Sequence, residues 1–178
     1  TLKNIPLVKD IFTMIELLNF IGLKTKILKK KNIIKIKNSE KKINTLAPYK
    51  LVKTMRAGVL VLGPLLTKYG HAKISLPGGC AIGSRPVDLH LFALKKLGAK
   101  IKIKDGYITA EAKRGLKGAV IKFPTVSVGA TENALLAAVK AKGTTILKNC
   151  AIEPEIKDLI IFLKKLGSTI KLKGRKII

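Results

Sequence analysis

The chain has 178 residues, 47% of them hydrophobic and 4% aromatic, with 36 lysines and arginines against 10 aspartates and glutamates, a formal charge of +26. That length and apolar content suit one large domain or two small ones with a real core, and the longest apolar stretch, Ala57 to Leu66, is about half of the roughly 20 residues a membrane-spanning helix needs. The charge argues only weakly for a nucleic-acid partner. The cations are 32 lysines spread along the chain and only four arginines, and aromatic platforms for base stacking are scarce. A lysine- and isoleucine-rich, arginine-poor composition is what codon usage in an AT-rich genome produces.

Taken in chain order, the first element is an amphipathic helix that begins near Ile5-Pro6 and Asp10 and stops at Gly22. An alternating strand follows over Ile33 to Lys37. A uniformly apolar, buried helix is predicted over Pro48 to Lys68, then a strand over Ala72 to Leu76. A second amphipathic helix starts near Arg85-Pro86 and Asp88 and stops at Gly98. Strands follow over Lys100 to Lys104, Tyr107 to Glu111 and Ala119 to Phe123, where apolar residues alternate with polar ones, often lysine. A second buried helix is predicted over Ala130 to Lys142, a strand over Thr144 to Lys148, and a third amphipathic helix from Glu153-Pro154 and Asp158 to Gly167.

The three amphipathic helices share one pattern: Leu18-x-x-Ile21-Gly22, Leu94-x-x-Leu97-Gly98 and Leu163-x-x-Leu166-Gly167. A glycine just past a helix is the expected stop, and spacings of 76 and 69 residues mark repeated supersecondary units. The units are expected at about 1–70, 71–143 and 144–178, the last incomplete, with no linker between domains. Thr1 at the start and the strand-like Lys176-Ile177-Ile178 at the end read as an internal fragment of a longer protein, truncated at both ends.

Chemistry concentrates in Leu76-Pro77-Gly78-Gly79-Cys80-Ala81-Ile82-Gly83-Ser84-Arg85-Pro86-Val87-Asp88-Leu89-His90. Three glycines allow close backbone approach to a ligand, and two prolines fix the ends of the excursion. Cys80 lies five residues from Arg85, and a nearby fixed cation favours the reactive thiolate. Where lysine is the default cation, an arginine suggests a need for its planar fork. Arg56 and Arg85 lie in motif-like segments, whereas Arg114 and Arg175 fall in turns and read as surface. Cys150 follows a strand and reads as a small buried residue. His71 and His90 are too isolated for a metal site, and neither is given a catalytic role.

The loop from Pro77 to His90 resembles, nearly residue for residue, the active-site loop of the UDP-N-acetylglucosamine 1-carboxyvinyltransferase family, the enolpyruvyl transferases that begin peptidoglycan precursor synthesis. The resemblance spans the chain. Ala47 to Ala57 is similar to that family's APYxLVxxMRA segment, Val126 to Asn133 to its SVGATEN segment, and Glu153 to Ile156 to its EPEI segment. It implies an α/β fold, an inside-out α/β barrel of repeated helices and mixed sheets enclosing buried helices, with this chain forming mostly one of two family domains.

By that resemblance, Cys80 is the proton donor to phosphoenolpyruvate and the residue alkylated by fosfomycin, and Arg85 binds phosphoenolpyruvate and the substrate phosphates. Arg85, Pro86, Val87, Asp88 and Leu89 match the uridine-nucleotide site, and Arg56 a sugar-nucleotide arginine. Thr125, Val126, Ser127, Val128 and Gly129 match the diphosphate-binding turn. Thr125 stands where some members have a lysine, and Leu60 where some have a tryptophan. The family's Lys-Asn pair and general-base aspartate have no counterpart in these residues, so the fragment alone is expected to be inactive. The resemblance implies no metal or organic cofactor, a cytoplasmic enzyme, and no nucleic-acid or membrane partner. The second domain of the full-length chain is the expected partner, and cell-wall biogenesis, cell shape and division the expected setting. The alternatives are the sibling 3-phosphoshikimate 1-carboxyvinyltransferase, and a basic nucleic-acid-binding protein.

Overall fold

The structure, a computed structural model, describes residues 1–38, 43–53, 55–77 and 87–178. The chain divides into two compact units, Thr1–Val59 with Lys73–Arg85, and Leu60–Ala72 with Pro86–Ile178.

In the first unit, helix α1 (Lys9–Ile21) buries Ile15, Leu17 and Ile21. It stops at Gly22, whose φ of 113° would strain any other residue and whose N–H closes on the carbonyls of Leu18 and Asn19. Strands β1 (Leu23–Leu28) and β2 (Ile33–Asn38) form an antiparallel hairpin from Leu23↔Asn38 to Leu28↔Ile33. Its register sets Ile27 opposite Ile34 on one face and Lys24 opposite Lys37 and Lys26 opposite Lys35 on the other, so the alternation seen in the sequence is a sheet with one face toward the core. Strand β3 (Leu46–Ala47) runs parallel to β4 (His71–Ser75), pairing Leu46 with Lys73 and Ala47 with Ile74.

The single helix predicted over Pro48 to Lys68 does not form. The segment is a four-residue helix α2 (Tyr49–Val52), a 3-10 stretch over Arg56–Val61, and a helix α3 (Leu62–Tyr69). Two features break it. Gly58 donates to the Met55 carbonyl three residues back, and a Cβ on it would lie 3.3 Å from the Val52 Cα. Pro64 lacks an N–H and would interrupt a helix running through it, but it fits the first turn of α3, where no intrahelical acceptor is owed. An apolar run reports burial, not continuity. The burial itself is as predicted: Val52, Met55, Val59, Leu62, Leu65 and Leu66 are all in the core.

In the second unit, helix α4 (Asp88–Lys96) ends before Gly98 at φ 96°. Strands β5 (Lys100–Lys104) and β6 (Tyr107–Glu111) then form a hairpin. It turns at Asp105 and Gly106, whose φ values of 51° and 75° give the mirror-image turn that matches strand twist. Strand β7 (Val120–Lys122) runs parallel to β8 (Ile146–Lys148), with helix α5 (Val128–Ala138) between them. Both strands are shorter than the alternation predicts. Helix α5 starts earlier than predicted because Ser127 caps it. It ends earlier because the chain tightens, with the Ala141 N–H on the Ala138 carbonyl, before Gly143 at φ 89°. Helix α6 (Pro154–Lys165) opens on a proline and ends before Gly167 at φ 97°. It is followed by the hairpin of β9 (Leu172–Lys173) and β10 (Lys176–Ile177), giving the sheet order β7-β8-β10-β9.

Helices α1, α4 and α6 each end at a left-handed glycine and lead into an antiparallel hairpin. The parallel pairs β3/β4 and β7/β8 are each bridged by buried helical chain. Helix α5 is the most enclosed, burying Ala130, Thr131, Asn133, Ala134, Leu135 and Ala137. Its small residues let α3 and α4 approach closely.

Candidate functional site

The diphosphate-binding turn expected from the sequence lies at the start of α5. Thr125 and Val126 are exposed as the chain leaves β7, and Ser127 takes the extended backbone of an N-cap. Its Oγ accepts from the Ala130 N–H at 3.3 Å, and Thr131 Oγ1 donates back to the Ser127 carbonyl at 2.7 Å. Thr131 Oγ1 also accepts from the Ala151 N–H at 3.1 Å, which ties the first turn to the chain after β8. The N–H groups of Val128 and Gly129 donate to no group among the described residues. They point out of the positive end of a helix, the arrangement that accepts an oxyanion.

The start of α4 lies beside it. Val87 is buried at the N-cap, while Asp88 is exposed and Leu89 partly covered in the first turn. His90, 7% exposed, turns inward against Gly129: a Cβ at that position would lie 3.2 Å from the His90 Cε1 and 3.3 Å from its Nε2. Asn133, fully buried on the next turn of α5, sits 3.1 Å through its Nδ2 from His90 Nδ1, and its Oδ1 accepts from the Gly63 N–H of α3 at 2.9 Å. One buried polar chain thus ties the first turns of α3 and α4 to the second turn of α5.

The structure thereby brings together, within the second unit, Val87, Asp88 and Leu89 with Ser127, Val128 and Gly129. Arg56 belongs to the first unit, where it opens the 3-10 stretch with its side chain exposed. Cys80, Arg85 and Pro86 lie outside the described residues. Sequence reasoning gave His90, Asn133 and Gly63 no role. The available sign was an amide in a helix read as buried, where it needs a buried partner.

Other titratable groups are now placed. Cys150 is fully buried, and burial pushes its thiol up to about 11 against the lowering effect of the Ile177 backbone hydrogen bond. It is an inert core residue, as expected. Arg114 is exposed in a turn, as expected, but Arg175 does more than cover surface, since its Nη1 donates to the Cys150 carbonyl at 3.0 Å. Burial, and then the charge of Glu155, hold the Glu132 carboxyl above its ordinary value of 4.5. A groove of about 930 Å³ lies at the C-terminal end of α5, lined by apolar residues such as Leu135, Leu163 and Ile170, and touches none of the predicted site residues.

The sequence matches the family described as EPSP synthase (3-phosphoshikimate 1-carboxyvinyltransferase) over residues 1–178. A UDP-N-acetylglucosamine 1-carboxyvinyltransferase of Pelagibacter ubique is 60% identical over 178 residues, all of this chain and 42% of that protein. One from Endomicrobium trichonymphae is 55% identical over 175 residues, 98% of this chain and 41% of that protein. The chain thus spans about two fifths of the length of these curated relatives. Among solved structures, the enolpyruvyl transferase NikO from Streptomyces tendae is similar with a TM-score of 0.83 at 19% identity, over 98% of this chain and 41% of that one. EPSP synthase from Acinetobacter baumannii gives 0.72 at 20% identity, over 93% of this chain and 38% of that one. At those identities the likeness is one of fold, and the fold is that of one domain of a two-domain enolpyruvyl transferase.

Proposed function

The chain belongs to the EPSP synthase family of enolpyruvyl transferases, and from that premise we propose that the protein containing it transfers the enolpyruvyl group of phosphoenolpyruvate to the 3-hydroxyl of UDP-N-acetylglucosamine, releasing phosphate. The observation that carries this reading is the pairing, in one unit, of the Val87–Leu89 segment with the open N–H groups of Val128 and Gly129, in a chain 60% identical to a protein of that name. A nucleotide needs both a base reader and a phosphate cradle.

In this mechanism the backbone groups of Val87 to Leu89 and the Asp88 carboxylate read the uracil edge. The helix terminus at Ser127 to Gly129 holds the diphosphate, and Arg56 adds a cation for the sugar nucleotide. Arg85 grips the carboxylate or phosphate of phosphoenolpyruvate bidentately and stabilises charge as it develops. Cys80 gives its thiol proton to the methylene carbon while the sugar hydroxyl oxygen adds to the neighbouring carbon. The hydroxyl's own proton passes to a base outside these residues. The tetrahedral ketal then loses a proton from the new methyl group and expels phosphate, which restores the carbon–carbon double bond and leaves the enol ether.

This role places the enzyme in the cytoplasm at the start of peptidoglycan precursor synthesis, upstream of cell shape and division, with Cys80 as a target for fosfomycin. Thr125 and Leu60 remove a charged and a stacking contact that some members have. The 178 residues alone lack the base and are inactive.

The test is phosphate release by the full open reading frame, with phosphoenolpyruvate and either UDP-N-acetylglucosamine or shikimate 3-phosphate, with and without Cys80→Ala. Release that requires the sugar nucleotide and collapses in the variant is expected. Release only with shikimate 3-phosphate transfers the site to the sibling activity, the one for which the matched family is described. No release with either acceptor refutes both.

A further inference from the structure

In the polar chain beneath the two nucleotide-binding segments, one donor sets the direction of two successive links. The Gly63 N–H can only donate, so the Asn133 amide must turn its Oδ1 toward α3, as it does at 2.9 Å. Its Nδ2 then faces His90 Nδ1 at 3.1 Å as a donor. Nδ1 must therefore accept, and a neutral His90 carries its proton on Nε2. Flipping the amide would set two donors face to face at Gly63, so the tautomer is locked from α3 through α5 to α4. Asn133 is fully buried and His90 nearly so, which makes an unmet partner costly.

The ring does a second thing. Its Cε1–Nε2 edge fills the space above Gly129, the residue of α5 whose N–H faces outward beside Val128. Any side chain at Gly129 would press on the ring at 3.2 Å. His90 lies one residue after Leu89, the end of the base-reading segment, and touches the phosphate-binding turn directly.

We propose that His90 is a positioning residue of the sugar-nucleotide site: held by Asn133 as the Nε2–H tautomer, it is the spacer that fixes the distance between the base-reading end of α4 and the phosphate-binding end of α5, and Gly129 is a glycine to admit it. This rests on the function proposed above. His90 touches neither reacting atom. It acts on the span between the two ends of the nucleotide, so its loss weakens nucleotide binding rather than chemistry.

The experiment uses the full-length protein. Steady-state phosphate release is measured for wild type, His90→Leu, His90→Asn and Gly129→Ala, with thermal unfolding of each to establish that it is folded at the assay temperature. Nitrogen-15 spectra of the wild-type histidines report the tautomer. In His90→Leu, the KM for UDP-N-acetylglucosamine is expected to rise roughly tenfold through loss of the spacer, while kcat and the KM for phosphoenolpyruvate move by less than about threefold. His90→Asn restores an acceptor where Nδ1 stood and recovers most of the loss. Gly129→Ala, which keeps every hydrogen bond but crowds the ring, shifts the same KM in the same direction and serves alone if His90→Leu does not fold. The spectra are expected to show Nδ1 unprotonated. A folded His90→Leu with an unchanged nucleotide KM, equal losses in kcat and both KM values, or a protonated Nδ1 in the neutral ring overturns the proposal while leaving the transferase reading intact. A wild-type protein that releases no phosphate refutes that reading, and the proposal falls with it.

Discussion

At the scale of single residues, the site is built from groups whose neighbours leave them one option. Ser127 caps α5 because its extended backbone lets its Oγ accept from the Ala130 N–H. Glu132 shows a cost in the same helix. Its carboxyl is half-buried and faces the charge of Glu155, and both effects raise its pKa above 4.5. A carboxyl with a raised folded-state pKa binds its proton more tightly in the native state, so it favours folding at low pH and loses that contribution as pH rises through the folded value. At neutral pH Glu132 is a liability. Glu132→Gln is expected to raise the unfolding temperature at pH 7, by less than about 1 kcal/mol of stability for a partly solvated charge. The gain should vanish below pH 4.5. A gain that is the same at both pH values would show that the carboxylate's charge is not the cause.

At the scale of elements, contact between α3 and α5 decides how the N-terminal half of α5 is held. Gly63 approaches so closely that a Cβ would lie 2.5 Å from Asn133 Oδ1 and 2.8 Å from its carbonyl oxygen, which is backbone and cannot rotate away. Gly63→Ala must separate the helices or break the Gly63–Asn133 bond. Chemical unfolding of the full protein is expected to show a loss of roughly 2–3 kcal/mol, the sum of overpacking and an unmet buried group. A loss under about 0.5 kcal/mol, the level of a surface substitution, would mean that this contact is loose.

Legibility at this scale follows from locality. The stops at Gly22, Gly98 and Gly167 were readable because a C-terminal glycine acts on its own turn. Strands β2, β5 and β6 were readable because alternation is local too, whereas their pairing into hairpins came from the structure. The break within Pro48 to Lys68 was hidden by its apolar content, although the Gly63-Pro64 pair carried the sign of a new helix start. The partnership of Asn133 with Gly63 and His90, 70 and 43 residues away, could not be read from any local pattern. The segments of family likeness drew attention to Val87 to Leu89 and Ser127 to Gly129, but nothing in them pointed to the polar chain underneath.

At the scale of the molecule, three observations converge. A repeated helix-and-hairpin unit builds the fold, the fold is that of enolpyruvyl transferases, and the chain covers about two fifths of its curated relatives. Part of the net charge of +26 has a structural place. Lysines lie on the open faces of hairpins, as Lys24, Lys26, Lys35 and Lys37 do, where they keep strands soluble. The central claim is the identity of the acceptor. Its most direct test is the mass spectrum of the products formed by the full-length protein given phosphoenolpyruvate and an equal mixture of UDP-N-acetylglucosamine and shikimate 3-phosphate. The account predicts that the sugar nucleotide alone gains an enolpyruvyl ether. An enolpyruvyl group found on shikimate 3-phosphate, with the sugar nucleotide unchanged, would contradict it.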